Sequence, residues 1–328
     1  MERREAPLIC KRVFRQIFCL KTLFLFMGTL EHLQVEIEKR CLPDGGWASR
    51  SSRGAGIETT CFALMALQGR PSVARDRGIK LLFRTQNPDG SWPAFEGDDR
   101  EGCWTTALVT IALRFIGAPT APIEKSIRWL LYSKGREGRW FWKWKFRTVD
   151  RAVQFNPDKY GWSWFPDTVS WVIPTAFSVI ALEQFTRCCG IGPIVNRIQL
   201  GKDMLRDRSC PQGGWNAGNG IVFGSALIPH IDTTAIALIA LTNGKDAVVA
   251  AGLNCLRQAC MDCPSAYSLA WSAIAFNVHQ DPTLNECMAG LSQALTTTDG
   301  TSNIETLSLA AIALKTAEDG GNPFAAVI

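Results

Sequence analysis

The chain has 328 residues, 47% of them hydrophobic and 20% charged, with a formal net charge of +5. That much apolar material excludes a disordered polypeptide and is ample for a sizeable core. The mild positive balance suits an anionic membrane surface but does not demand nucleic acid.

In chain order, residues 1–24 form a basic, then apolar N-terminal segment. The apolar stretch, Ile17 to Leu30, is too short to span a bilayer, and no small-residue cleavage site follows it. An amphipathic first helix and a membrane-surface anchor both fit. From residue 25 two kinds of segment alternate. One kind has a polar face and an apolar face: 25–39, 73–83, 123–131, 194–206, 247–260 and 284–295. The other is apolar on nearly every side and recurs six times: 57–67, 103–113, 174–182, 232–241, 267–276 and 305–314. The first kind predicts half-exposed helices and the second predicts helices buried all round. Loops rich in Gly, Pro and Trp punctuate the alternation, as in Pro43-Asp44-Gly45-Gly46-Trp47 and Pro211-Gln212-Gly213-Gly214-Trp215. Six such pairs in one stretch, 25–328, predict a single all-α domain, an (α/α)6 toroid of inner and outer helices. The longest interval, 135–171, predicts an insertion at one end of the barrel.

The cysteines are scattered, several of them (Cys61, Cys103, Cys255) inside apolar runs, and are expected to be free thiols. Cys260-x-x-Cys263 could open a metal site, but it has no second pair and only three histidines accompany it. No metal and no cofactor are expected.

Arg77-Gly78-x-x-Leu81-Leu82-x-x-x-Gln86-x-x-x-Gly90-x-Trp92 resembles the QW repeat of the prenyltransferase and squalene-cyclase superfamily, and Gly45-Gly46-Trp47 and Gly213-Gly214-Trp215 resemble partial copies. The resemblance runs from about residue 25 to the end, although squalene-hopene cyclases have two such barrels. It implies that the Gln and Trp tie outer helices to inner ones. The Asp-x-Cys pair of zinc-dependent prenyltransferases and the Cys-Gly-Glu-Gln of thioester proteins are absent. The Asp-x-Asp-Asp-Thr-Ala motif of hopene cyclases, aligned on Thr-Ala, falls on residues 230–235. It implies Asp232 as proton donor, the one carboxylate of the motif that is kept, with His230 available to hydrogen-bond it.

Asp232 has a second reading. Asp-Thr before an Ala/Leu helix is an ordinary N-cap, stabilising by about 1 kcal/mol. Glu58-Thr59, Asp167-Thr168 and Glu305-Thr306 occupy comparable helix starts, which favours that reading. Aromatic residues gather on or near the inner helices: Trp104, Trp162, Trp164, Phe165, Trp171, Trp215, Phe223 and Trp271, with Asp167 among them. They could line a cavity for an isoprenoid or triterpenoid-type lipid and stabilise cations, or simply fill the core. The stretch Arg139–Arg147 alternates aromatic and basic residues. As a strand or extended loop it would put rings on one side and charges on the other, suiting a lipid boundary or an ordinary packed hairpin. Nothing else supports nucleic-acid binding.

The expectation is therefore an acid-initiated terpenoid or polyprenyl cyclase, cytoplasmic, with peripheral membrane contact left open. The alternatives are a non-catalytic isoprenoid-binding or scaffold toroid, and one subunit of a two-chain enzyme. The oligomeric state is left open.

Overall fold

The computed structural model describes residues 29–49, 54–98, 101–149, 153–186, 192–296, 303–319 and 321–325. The N-terminal segment 1–24 lies outside the described residues. The helices in chain order are α1 (29–39), α2 (Ile57–Ala66), α3 (Val73–Arg84), α4 (Thr105–Phe115), α5 (Thr120–Tyr132), α6 (Trp140–Thr148) and α7 (Val172–Thr186). They continue with α8 (Gly192–Asp207), α9 (Ile231–Ala240), α10 (Ala247–Met261), α11 (Ala266–Val278), α12 (Leu284–Ala294) and α13 (Ile304–Asp319). A hairpin of β1 (Ile221–Val222) and β2 (Ser225–Ala226) precedes α9.

The Ala/Leu runs are α2, α4, α7, α9, α11 and α13. They pack side by side in that order, and α13 returns onto α2, so the ring closes. Outside it, α3 lies on α2, α5 on α4 and α7, α8 on α7, α10 on α9 and α12 on α11. Burial follows from composition. In α9 every residue from Thr233 to Ala240 is buried, whereas α3 buries only Gly78, Leu81 and Leu82 and turns its charges outward. The all-α toroid expected from the repeat is the fold observed.

Four tryptophans tie the two layers together. The backbone N–H of Trp47 donates to the Thr60 hydroxyl at 3.2 Å, and those of Trp92, Trp162 and Trp215 donate to Thr106, Thr175 and Thr234 at 3.0 Å. Each of these threonines stands in the first turns of an inner helix. The four indole N–H groups reach back to the carbonyls of Ile37, Leu82, Leu130 and Leu205 at 2.7–2.8 Å, at the ends of the preceding outer helices. The rings of Trp47, Trp162 and Trp215 then wedge against Gly78, Gly201 and Gly252 of the next outer helix. There an added Cβ would come within 2.7, 2.9 and 2.6 Å of the indole. The turns into Trp47 and Trp215 need two successive positive φ angles, 96° and 78° at Gly45 and Gly46, and 93° and 75° at Gly213 and Gly214. Only glycine adopts these without strain.

The insertion after α5 corrects one expectation. Residues 140–148 are neither strand nor extended loop but the helix α6. Among the described residues no neighbouring strand offers hydrogen bonds to an extended backbone there, and a helix satisfies them internally. The helical turn divides the rings into two groups. Trp140, Phe141 and Trp144 project outward, while Trp142 pairs with Phe146 at 6.0 Å and Phe146 with Phe155 at 5.2 Å. Arg136 and Lys145 sit 4.5 and 4.8 Å from the Trp142 ring centre, and Lys143 and Arg147 both pair with Asp158. Asp167 is likewise not at a helix start. It lies in the loop before α7 at φ 61° and pairs with Arg139.

Candidate active site

Two positions before those threonines the inner helices carry Glu58, Trp104, Ile173 and Asp232, and the same register in α11 and α13 holds Tyr267 and Glu305. All six are half-buried. The residues four places further on, Phe62, Leu108, Phe177, Ile236, Trp271 and Leu309, are all buried. A spacing of four puts each pair on one helix face, one turn apart. The upper tier is therefore a ring open to solvent and the lower tier is its floor.

Aromatic contacts close the floor. Phe177 of α7 meets Trp271 of α11 at 5.9 Å between ring centres, across a ring position occupied by α9. Trp271 also touches Phe62 at 5.8 Å and Phe324, from the segment 321–325, at 5.0 Å. Trp104 stacks on Phe177 at 5.9 Å, linking wall to floor, and Trp164 meets its edge at 5.0 Å. The result is a recess at the N-terminal ends of the inner helices. Its wall is three carboxyls, a phenol, an indole and an isoleucine.

Carboxyl groups gather there at modest penalty because six helix N-termini, each partly positive, converge on the same mouth. Burial, and then the neighbouring charge of Glu305, raise the Glu58 carboxyl to about 7. Glu305 is held beside α2 by the Thr59 hydroxyl, which donates to it at 2.9 Å. Burial also lifts the Tyr267 phenol well above its usual pKa. Glu58, Asp232 and Glu305 add to that, while the facing Trp271 side chain works against it. A carboxyl with a pKa near 7 carries a proton on about half of the molecules at neutral pH, the property required of a general acid.

The residues picked out by sequence are distributed unevenly over this geometry. Asp232 is in the ring as the second residue of α9. The cap position falls on His230, and no side chain caps this helix. His230 is exposed with Nε2 3.2 Å from the Asn216 amide nitrogen, and no hydrogen bond joins it to Asp232 among the described residues. Trp104 lines the recess and Trp271 lies in its floor. Trp162 and Trp215 belong to the wedges behind the inner helices. Trp164 and Phe165 stand at the rim, Trp171 packs against Gly218, and Phe223 is 82% exposed at the tip of the β1–β2 turn. Glu58, Glu305 and Tyr267 were visible in sequence only as repeat positions. Their shared register with Asp232 was the signal that could have placed them together.

Cys260 and Cys263 line a hollow of about 360 Å³ with Cys287, between α10 and α12. Among the described residues no group of His, Cys, Asp or Glu is arranged to hold a metal. No described helix is long and apolar enough to cross a membrane.

No family model matches the chain. An 89-residue stretch, 26% of the chain, is 35% identical to the ent-copalyl diphosphate synthase of Streptomyces sp. (strain KO-3988), and spans 17% of that protein. Among solved structures, a variant of the type II terpene cyclase MstE from Scytonema, bound to its product merosterolic acid A, superposes with a TM-score of 0.59. It is 15% identical, with 91% of this chain and 99% of that one covered. A GH76 α-mannanase from Bacteroides thetaiotaomicron reaches a TM-score of 0.62 at 10% identity, with 89% and 95% covered. The two superpositions, at these identities, speak to architecture: the chain has the α/α toroid fold that class II terpene cyclases use.

Proposed function

We propose that the recess takes the apolar chain of an isoprenoid and starts its cyclisation by protonating an alkene. The observation that carries this reading is the two-tier arrangement, a ring of carboxyls that includes the proton-holding Glu58 directly above a buried aromatic floor. The floor accepts a hydrocarbon. A carbocation formed between the tiers faces Trp104, Phe62 and Trp271, each contributing about 0.5–2 kcal/mol by cation–π attraction. The oxygens of Asp232 and Glu305 in the ring face the same charge, and the low-polarity floor strengthens their effect. The local sequence likeness to a copalyl diphosphate synthase supports this substrate class, as does the fold shared with a cyclase solved with geranylgeranyl dihydroxybenzoate as substrate. His230, turned toward Asn216, has no part in the proposal.

An insoluble substrate needs a route to the mouth. The segments leading into the inner helices surround that mouth, and they carry the exposed Phe95, Phe165 and Phe223 on loops and turns and Trp140, Phe141 and Trp144 on α6. With the cations of residues 139–147 these side chains suit an anionic bilayer surface, so the proposal includes peripheral membrane contact there.

The test is to incubate the purified protein with squalene, geranylgeranyl diphosphate and geranylgeranyl dihydroxybenzoate. Cyclised isomers of unchanged mass are expected, and are lost when Glu58, Asp232 and Glu305 are all changed to their amides. A folded protein that converts none of the three overturns the reading. One observation favours a second one: two coupled carboxyls, Glu58 and Glu305, in one recess are also the equipment of a glycosidase. Release of sugar from a mannan or a starch oligosaccharide would select it.

A further inference from the structure

Resting on the isoprenoid reading above, we propose that the proton donor is Glu58 on α2, directly across the ring from Asp232 on α9. The ring order places two helices between these positions whichever way it is followed. The six inner helices are copies of one unit, so the acid can stand on any of them without altering the scaffold. What distinguishes the copies is the surroundings of each site.

Those surroundings favour α2. Glu58 lies one turn above Phe62, whose ring meets Trp271 in the floor, so an alkene seated on these rings is next to its carboxyl. Glu305 stands on the adjoining helix, fixed by Thr59, and Tyr267 completes that side of the ring. This environment, burial first and then the charge of Glu305, raises the Glu58 carboxyl to about 7. Asp232 adjoins Ile173 of α7 on one side and stands above Ile236, so the aromatic surface beneath it is poorer.

In the step itself the Glu58 O–H bond breaks and its proton forms a new C–H bond with the π electrons of the alkene. A tertiary cation is left on the substrate and a carboxylate on the enzyme. Ring closure consumes further π bonds, and the final cation loses a proton to water entering from the mouth. Water then restores the proton to Glu58, so substrate and product are isomers and no oxidant or reductant is involved.

The experiment uses N,N-dimethylgeranylgeranylamine, whose ammonium imitates the substrate cation, with geranylgeraniol as the neutral control, both followed by calorimetry from pH 6 to pH 8. Amine affinity is expected to rise about tenfold as Glu58 ionises, with no rise for the alcohol. The rise should vanish in Glu58→Gln and persist in Asp232→Asn. If the glutamine variant does not fold, Glu58→Asp replaces it and should keep the pH dependence with weaker binding. A rise lost in Asp232→Asn but kept in Glu58→Gln overturns the assignment and leaves the isoprenoid reading standing. No binding of either compound by the folded protein overturns both. With a converted substrate, Glu58→Gln should lower turnover by at least ~100-fold, against less than ~10-fold for Asp232→Asn, and the reverse order overturns the assignment.

Discussion

Glu58 ties stability to acidity. Its folded-state pKa of about 7 lies above the 4.5 of an ordinary glutamate, so the folded state binds a proton that the unfolded chain releases. The contribution of Glu58 to stability is therefore fully present below about pH 4.5 and is lost as pH rises through 7, where the carboxyl must ionise. Thermal melts of the wild type should show this decline, and Glu58→Gln should remove it, leaving the variant at least as stable as the wild type at pH 8. A decline that persists in the variant would place the titrating group elsewhere. The residue scale was also the least legible in the sequence. Glu58, Asp232 and Glu305 read as interchangeable helix-start acids, because a cap and an axial wall residue share the same pattern. Which acid adjoins another, and what lies beneath each, depends on ring closure between segments 246 residues apart, as Thr59 and Glu305 are.

The helices were far more legible. Their Ala/Leu runs and amphipathic partners carry the burial pattern locally, so inner and outer identities followed from periodicity. The failure at α6 has a local cause. Alternating aromatic and basic residues satisfy a strand of period two, yet the same residues make a helix with rings on two flanks. The wedges behind the inner helices give a sharp test. Gly252→Ala drives a methyl into the Trp215 ring and should destabilise by about 1–3 kcal/mol. A neutral result in chemical unfolding would mean that the wedge yields. For α6, binding to vesicles containing anionic lipid should fall at least ~10-fold when Trp140 and Trp144, 82% and 53% exposed, are both changed to Ser. It should also weaken with added salt, and equal sedimentation of wild type and variant would remove the proposed membrane contact.

At the scale of the whole molecule, the exposed aromatic side chains and the recess share one end, while Val73 and Val195 mark the start of outer helices at the other. A ring differs from an open stack of helix pairs because its last member meets its first. Five of the six inner contacts join helices that follow one another along the chain. The sixth, α13 on α2, is a seam with no such connection, and Glu58 and Glu305 stand on its two sides. The part of the Glu58 shift that Glu305 supplies, second to burial, can therefore arise only after the chain has come full circle. The chemistry proposed for this site is then gated by completion of the fold: a partly assembled ring, with its apolar interior open to water, leaves Glu58 an ordinary surface carboxylate with no proton to give.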